Sequence, residues 1–134
     1  MAMQVEVVSP ERILYSGEAE SVIARTVGGG DIAFLSGHAP FVGALEVAKV
    51  TIRSSSEAGD QVVAVHGGFV EVSDDKVTIL SDVAELASQI DLDRARQAQE
   101  TAAAALRESD DAEAAAALRR ATVRIDVAGG AVGA

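Results

Sequence analysis

The chain changes character near Gln89, and that switch sets what it can fold into. Before it, short apolar runs with strand period are punctuated by glycines. After it, the spacing turns helical and large side chains nearly vanish. From Asp91 to Ala128 there are thirteen alanines and no aromatic residue, and the large aliphatics are only Leu92, Leu106, Leu118, Val123, Ile125 and Val127. A β module followed by a weakly apolar helical pair predicts a rigid platform carrying an arm that can move, rather than a self-contained enzyme.

In the first part, Met3, Val5 and Val7 alternate with polar residues, and Ser9-Pro10 ends that strand. Ile13 to Tyr15 reads as a short strand turned by Ser16-Gly17-Glu18. Val22 to Val27 stops at Gly28-Gly29-Gly30-Asp31, and Ile32 to Leu35 stops at Ser36-Gly37. Val47 to Arg53 puts Val47, Lys49 and Thr51 on one face and Ala48, Val50 and Ile52 on the other. After a polar loop, Ser54 to Asp60, come strands at Gln61 to His66, Phe69 to Val72 and Lys76 to Leu80. Gly67-Gly68 and Ser73-Asp74-Asp75 join them. Many short strands with close turns and no helical pattern between them indicate a sandwich or flattened barrel. The domains are residues 1–86, the β-sandwich, and 87–134, a helical hairpin with a short flexible tail.

In the second part, Asp91 is placed to cap a helix running to about Glu108. Ser109-Asp110-Asp111 breaks it, Asp110 and Glu113 have capping-box spacing, and a second helix runs to about Val127. The tail from Gly129 is expected to fray. So short a loop predicts an antiparallel pair. With the bend at Ser109, Arg94 and Arg124 lie 15 residues on either side and meet at the open end, with Asp91 and Arg120 near that level. Several arginines beside a helix N-terminus suit a polyphosphate. They equally suit a solvated face with ordinary ion pairs. With about three large side chains per helix, at roughly 1.5–3 kcal/mol per buried leucine-sized group, docking onto the β module is worth only a few kcal/mol. Alanine keeps intrinsic helicity high, so the helices outlast loss of docking. Tight alanine packing in a permanently docked hairpin is the competing reading.

Composition narrows the function. The net charge of −10 argues against nucleic acid or an anionic membrane surface as main partner. Residues 1–89 hold 13 acids and 5 bases, and residues 90–134 hold 8 acids and 6 bases. There is no cysteine, so disulfides and cysteine metal sites are excluded. The apolar runs fall far short of a membrane span and the N-terminus lacks a signal-peptide core, which places the chain on the cytoplasmic side without direct membrane insertion. His38 and His66 each sit beside a glycine and read as turn or packing residues, with no metal-ligand spacing between them. No Gly-x-Ser-x-Gly motif occurs, and Gly28 to Asp31 lacks the lysine and hydroxyl of a phosphate loop. No catalytic or metal site is expected.

Two stretches then carry a resemblance. GDIAFLSGHAPFVGAL, residues 30–45, resembles the glycine-aspartate to glycine-His-Ala-Pro signature of the epsilon subunit of F-type ATP synthases. VHGGFVEVSDDKVTILSDVAE, residues 65–85, is similar to that family's Gly-Gly turn and final hairpin, and the likeness covers Met3 to Ala128. It implies a β + α fold: an N-terminal sandwich of about ten strands followed by an antiparallel two-helix hairpin. It implies a non-catalytic central-stalk subunit, coupling the gamma subunit and the c ring during proton-driven ATP synthesis. The hairpin would regulate ATP hydrolysis through transient contact with the alpha/beta catalytic head. His38, Ala39, Pro40 and Phe41, in the signature loop, become candidates for the ring or gamma contact. The alternative is a stand-alone β-sandwich ligand-binding module with a helical oligomerisation tail, although Tyr15, Phe34, Phe41 and Phe69 are few aromatics for a binding cleft.

Some members of that family bind ATP through an Ile/Leu-Asp-x-x-Arg-Ala motif, and Ile90-Asp91-Leu92-Asp93-Arg94-Ala95 matches it. The same resemblance assigns an acidic contact to Glu85. RRATVRIDVA, residues 119–128, resembles their second-helix end, so Arg120 and Arg124 carry over as phosphate-side contacts. No cofactor is required; ATP enters as a regulatory ligand. Ala112 to Ala117 holds Glu113 and no base, unlike the strongly basic helix of other members. Weaker docking on the catalytic head follows.

Overall fold

The computed structural model describes residues 2–54 and 59–133, with side chains placed as far as Gly129. Residues 55–58 of the expected polar loop lie outside the described residues. Eight strands, β1 (Met3–Val8), β2 (Ile13–Ala19), β3 (Ser21–Thr26), β4 (Gly30–Leu35), β5 (Phe41–Arg53), β6 (Gln61–Ser73), β7 (Lys76–Leu80) and β8 (Ala84–Leu86), precede two helices. The helices are α1 (Leu92–Glu108) and α2 (Ala112–Gly133), and a single 3₁₀ turn at Ala87–Gln89 leads into them. The sheet order is β2-β1-β7-β6-β5-β3-β4, with β8 added to β6. Among the described residues, only β1 and β7 pair in parallel. The sheet folds over its own apolar face as a sandwich, and it stays unclosed because the end strands β2 and β4 share no pairing.

Eight strands replace the ten implied by the resemblance, and β5 and β6 explain the difference. Each is 13 residues long. In β6 the core-facing residues are Val63 and Val65 before Gly67-Gly68, and Val70 and Val72 after it. The inward face therefore shifts by one residue at the glycines. The partner strand changes face at the same level, with Leu45 in the core on one side of the break and Val50 and Ile52 on the other, while the β5–β6 register stays constant from Phe41–Val72 to Ile52–Gln61. A local irregularity of this kind bends a strand and lets it serve both layers of a sandwich. The two strands read at Gln61 to His66 and Phe69 to Val72 are thus one. Gly68 holds a φ of +127°, and a Cβ there would run into the Leu80 carbonyl oxygen.

The core is filled by alternating residues: Met3, Val5 and Val7 from β1, Phe34 from β4, Val50 and Ile52 from β5, Val77 and Ile79 from β7. Asp74 and Asp75, at φ 52° and 58°, form the two-residue turn between β6 and β7. The turn read at Ser16-Gly17-Glu18 is instead continuous strand, paired with β1 along Glu6 to Gln4. Gly17 serves there as space for Tyr15, whose hydroxyl would lie 3.0 Å from an added Cβ.

Asp91 caps α1 as expected, its carboxylate accepting the Arg94 backbone N–H at 3.1 Å. The second cap is Asp111 rather than Asp110: Asp111 Oδ1 accepts from the backbone N–H groups of Glu113 and Ala114 at 2.9 and 3.2 Å. Ala114 occupies the position that a box with Asp111 would need for glutamate, so the cap is one-sided. α2 runs on to Gly133, so residues 129–133 are helical rather than a frayed tail. Gly129 stays within the helix instead of adopting the left-handed turn that commonly ends one.

The helices form an antiparallel hairpin through alanines: Ala95 and Ala102 of α1 and Ala114 and Ala121 of α2 are buried. The main contact with the sandwich is made by α2. Val123 and Val127 lie on Ala64, ringed by Val47, Val62, Ala87 and Ile90. Lys49 and Asp126 add an exposed ion pair at 3.7 Å.

Candidate functional site

Where the hairpin's open end meets β8, a cleft of about 380 Å³ is lined by Glu85, Gln89, Ile90, Asp91, Arg94, Ala95, Ala98 and Arg124. Each wall has a sequence cause. Asp91 ends the linker and starts α1, which orients Arg94 one turn on. Ala95 and Ala98 project too little bulk to fill the gap. Antiparallel pairing brings Arg124 level with Arg94, as the 15-residue count from the bend predicts.

Five of the six residues assigned to ATP contact therefore come together: Glu85, Ile90, Asp91, Arg94 and Arg124. Arg120 does not line the cleft. Its guanidinium pairs with Glu113 at 2.9 Å, two turns back on the same helix. That acid draws it toward the bend.

Arg94 forms no side-chain ion pair among the described residues and is exposed. Arg124 is engaged: its Nε donates to Glu85 Oε1 at 2.7 Å. The same oxygen lies 3.0 Å from His66 Nε2. Burial acts to raise the Glu85 pKa, but the bonds from Arg124 and His66 outweigh it and hold the carboxylate below its ordinary range. Burial pushes His66 down, outweighing its bond to Glu85, and the charges of Arg124 and Arg120 act in the same direction as burial. His66 is therefore neutral at neutral pH. Two arginines face two carboxylates, so the cleft lining is formally neutral. A polyphosphate gains full use of Arg124 only by replacing Glu85 as its partner or by bringing a cation with it.

Sequence reading missed His66 as a member of this cluster. The signal lay in its period: Val62, Ala64 and His66 share a strand face, and Ala64 lies under Val123 and Val127. The register that sets Ala64 opposite Glu85 is a tertiary fact.

The signature loop sits elsewhere. His38 is held by its own surroundings: its Nδ1 donates to the Ala39 carbonyl at 2.7 Å, and its ring meets Phe34 edge-on at 5.0 Å and Phe41 at 6.3 Å. Asp75 ties the loop's start, accepting from the Gly37 backbone N–H at 2.6 Å and from Ser36 Oγ at 3.3 Å. Ala39 and Pro40 are exposed and Phe41 is half-buried. The loop is thus fixed by its aromatic side and presents Ala39-Pro40 outward.

The architecture is a folded-over β sheet with an alanine-rich helical hairpin docked on one outer face. Two family models divide the chain in the same way: ATP synthase, Delta/Epsilon chain, beta-sandwich domain over residues 2–87, and the long alpha-helix domain of the same chain over residues 88–129. The chain belongs to the ATP synthase delta/epsilon family. It is 48% identical to the ATP synthase epsilon chain of Streptomyces griseus over 92% of both chains. It is 43% identical to that of Moorella thermoacetica over 96% of this chain and 97% of the relative. These relatives are non-catalytic subunits of the synthase. The fold also matches a chain in the Euglena gracilis mitochondrial ATP synthase, in its OSCP/F1/c-ring structure. The TM-score there is 0.69 at 20% identity, covering 98% of this chain and 80% of that one. No helix among the described residues is long and apolar enough to cross a membrane.

Proposed function

We propose that this chain is a rotor subunit of an F-type ATP synthase. In this role the sandwich joins the gamma subunit to the c ring at the cytoplasmic face of the bacterial cell membrane, and the hairpin regulates ATP hydrolysis. The observation that carries this reading is the ordered match of both domains to one family over nearly the whole chain, with the domain join falling between β8 and α1. Ala39 and Pro40, outward on a braced loop, are the sandwich residues offered to the ring or to gamma. The hairpin is the two-state element: docked through two valines and a part-buried ion pair, or released toward the alpha/beta head.

ATP is the regulatory ligand of this reading. Arg94 and Arg124 would hold phosphates, while Ile90, Ala95 and Ala98 offer an apolar wall for a base. Such a ligand bridges α1 and α2 at their junction with β8 and so favours the docked arm. The test has two arms. Co-expression with gamma should yield a complex on affinity purification, and failure to co-purify favours the free-standing module. Calorimetric titration with Mg-ATP should show saturable binding that Arg94→Ala abolishes. No heat at millimolar ATP removes the ligand from the proposal and leaves the rotor role standing.

A further inference from the structure

Glu85 Oε1 serves two donors from two different elements, His66 of β6 at 3.0 Å and Arg124 of α2 at 2.7 Å. An ionised carboxylate only accepts, so the 3.0 Å contact requires the proton of neutral His66 to sit on Nε2. Nδ1 is then a bare acceptor, and it is buried without a partner. The His66 side chain is 4% exposed. An unsatisfied buried nitrogen is costly. Nothing in the packing demands it, because the neighbours on that strand face, Val62 and Ala64, are apolar. The bond to Glu85 is the one polar contact that offsets this cost among the described residues.

We infer that His66 is a positioning residue for the regulatory cleft: it fixes the Glu85 carboxylate that in turn anchors Arg124, so a sandwich side chain outside the cleft sets both arm docking and the placing of the cleft's second arginine. The half concerning arm docking stands on the geometry alone; the half concerning a ligand rests on the nucleotide reading above. The charged groups that act most strongly on His66 are Glu85 on β8, and Arg124 and Arg120 on α2. Across the β5–β6 pairing His66 faces Val47, and Lys49 beyond it is taken by Asp126. His66 therefore has one electrostatic partner that it can orient, and that partner is Glu85.

The experiment is nitrogen-15 NMR on the full chain at pH 7.5, with the Arg124 Nε–H signal assigned by Arg124→Lys. In the wild type, His66 should be the neutral Nε2–H tautomer and the Arg124 Nε–H should exchange slowly. His66→Gln, whose side-chain amide reaches the place of imidazole Nε2, should keep that slow signal. His66→Ala should lose it and accelerate amide exchange in α2 by about tenfold, the effect of one charge-assisted hydrogen bond. An Nδ1–H tautomer in the wild type overturns the proposal. So does an unchanged Arg124 signal in His66→Ala, or its loss in His66→Gln while the strands stay intact. If His66→Ala does not fold, the tautomer and His66→Gln decide. A Mg-ATP titration then separates the two halves. About tenfold weaker binding by His66→Ala, restored by His66→Gln, supports the ligand half, and equal affinity overturns it. Failure of the wild type to bind ATP strikes the nucleotide reading and leaves the NMR result to decide the role of His66.

Discussion

The arm should come off the sandwich without the sandwich or the helices melting. Val123 and Val127 are 5% and 1% exposed and sit one turn apart on Ala64, which is itself fully covered. Besides these valines, α2 meets the sandwich through the Arg124–Glu85 and Lys49–Asp126 pairs, while the buried alanines Ala95, Ala102, Ala114 and Ala121 belong to the packing of α1 on α2. Replacing each valine by alanine removes about two methyl groups, at about 0.8 kcal/mol each. The pair therefore costs about 3 kcal/mol, with a further cavity contribution because Ala64 is too short and β6 too constrained to follow. That shifts the docking equilibrium by on the order of a hundredfold. Native-state hydrogen exchange read by mass spectrometry resolves the two domains separately. In Val123→Ala/Val127→Ala, peptides from residues 92–129 should lose protection by about a hundredfold, while those from β1, β6 and β7 stay as in the wild type and the helical far-ultraviolet signal persists. Exposed Arg119→Ala should change neither. Unchanged exchange in the helices would show that these valines do not hold the arm. Equal acceleration in β6 and β7 would show that hairpin and sandwich open as one unit. Either result refutes the reasoning.

Stability should fall toward acid in two steps. His66 has its pKa lowered from an ordinary 6.5 in the folded chain, so below 6.5 the unfolded chain binds more protons and stability drops as pH falls toward the folded value. Glu85, lowered from 4.5, adds a second loss below that pH. Urea titrations from pH 7.5 to 4 should lose the upper step in His66→Gln, and a flat wild-type profile between pH 7 and 5 contradicts the assignment. Gly68→Ala should cost about 3 kcal/mol or more, because strain at a φ of +127° combines with collision against the Leu80 carbonyl. Gly28→Ala, at a φ of +78° with open space around it, should cost about 1 kcal/mol, and equal midpoints for the two variants would refute this account of the β6 bend.

What could be read from the sequence was whatever is decided within one element or by counting along two. Alternation at Met3, Val5 and Val7 names the core face of β1 because a strand buried on one side has period two. Asp91 announces α1 because its carboxylate reaches the next turn's backbone N–H. The convergence of Arg94 and Arg124 follows from an antiparallel hairpin with a short loop and nothing more. What escaped was decided between elements. Gly67-Gly68 looks like a turn, yet it is a bend within β6, because only pairing with β5 and β7 distinguishes the two. Arg120 was drawn to the cleft by its sequence level and diverted by Glu113, a competition that distance along a helix does not reveal. The bond of His66 to Glu85 depends on the register of an added three-residue strand.

On the nucleotide reading proposed above, Arg124 would serve two purposes, and that dual use would make the arm responsive. In the docked state its charge is already matched by Glu85, so the cleft offers a polyphosphate one unpaired arginine, Arg94, and a second only by exchange. Such an exchange is nearly balanced, since Arg124 passes from one anionic oxygen to another. The ligand's net gain would then come from Arg94 and from the apolar wall, and it would bridge α1 to α2 as it binds. A ligand at a hundredfold above its Kd stabilises the state it binds by about 2.7 kcal/mol. The two valines that hold α2 contribute about 3 kcal/mol by the methyl count above. Contributions of like size mean that neither fixes the arm alone. A bulkier contact than Val123 and Val127 would lock it down whatever the ligand did, and a weaker one would leave the released state too favoured for the ligand to restore docking. On that reading, the scarcity of large side chains after Gln89 is what would keep the docked and released states within reach of a small molecule.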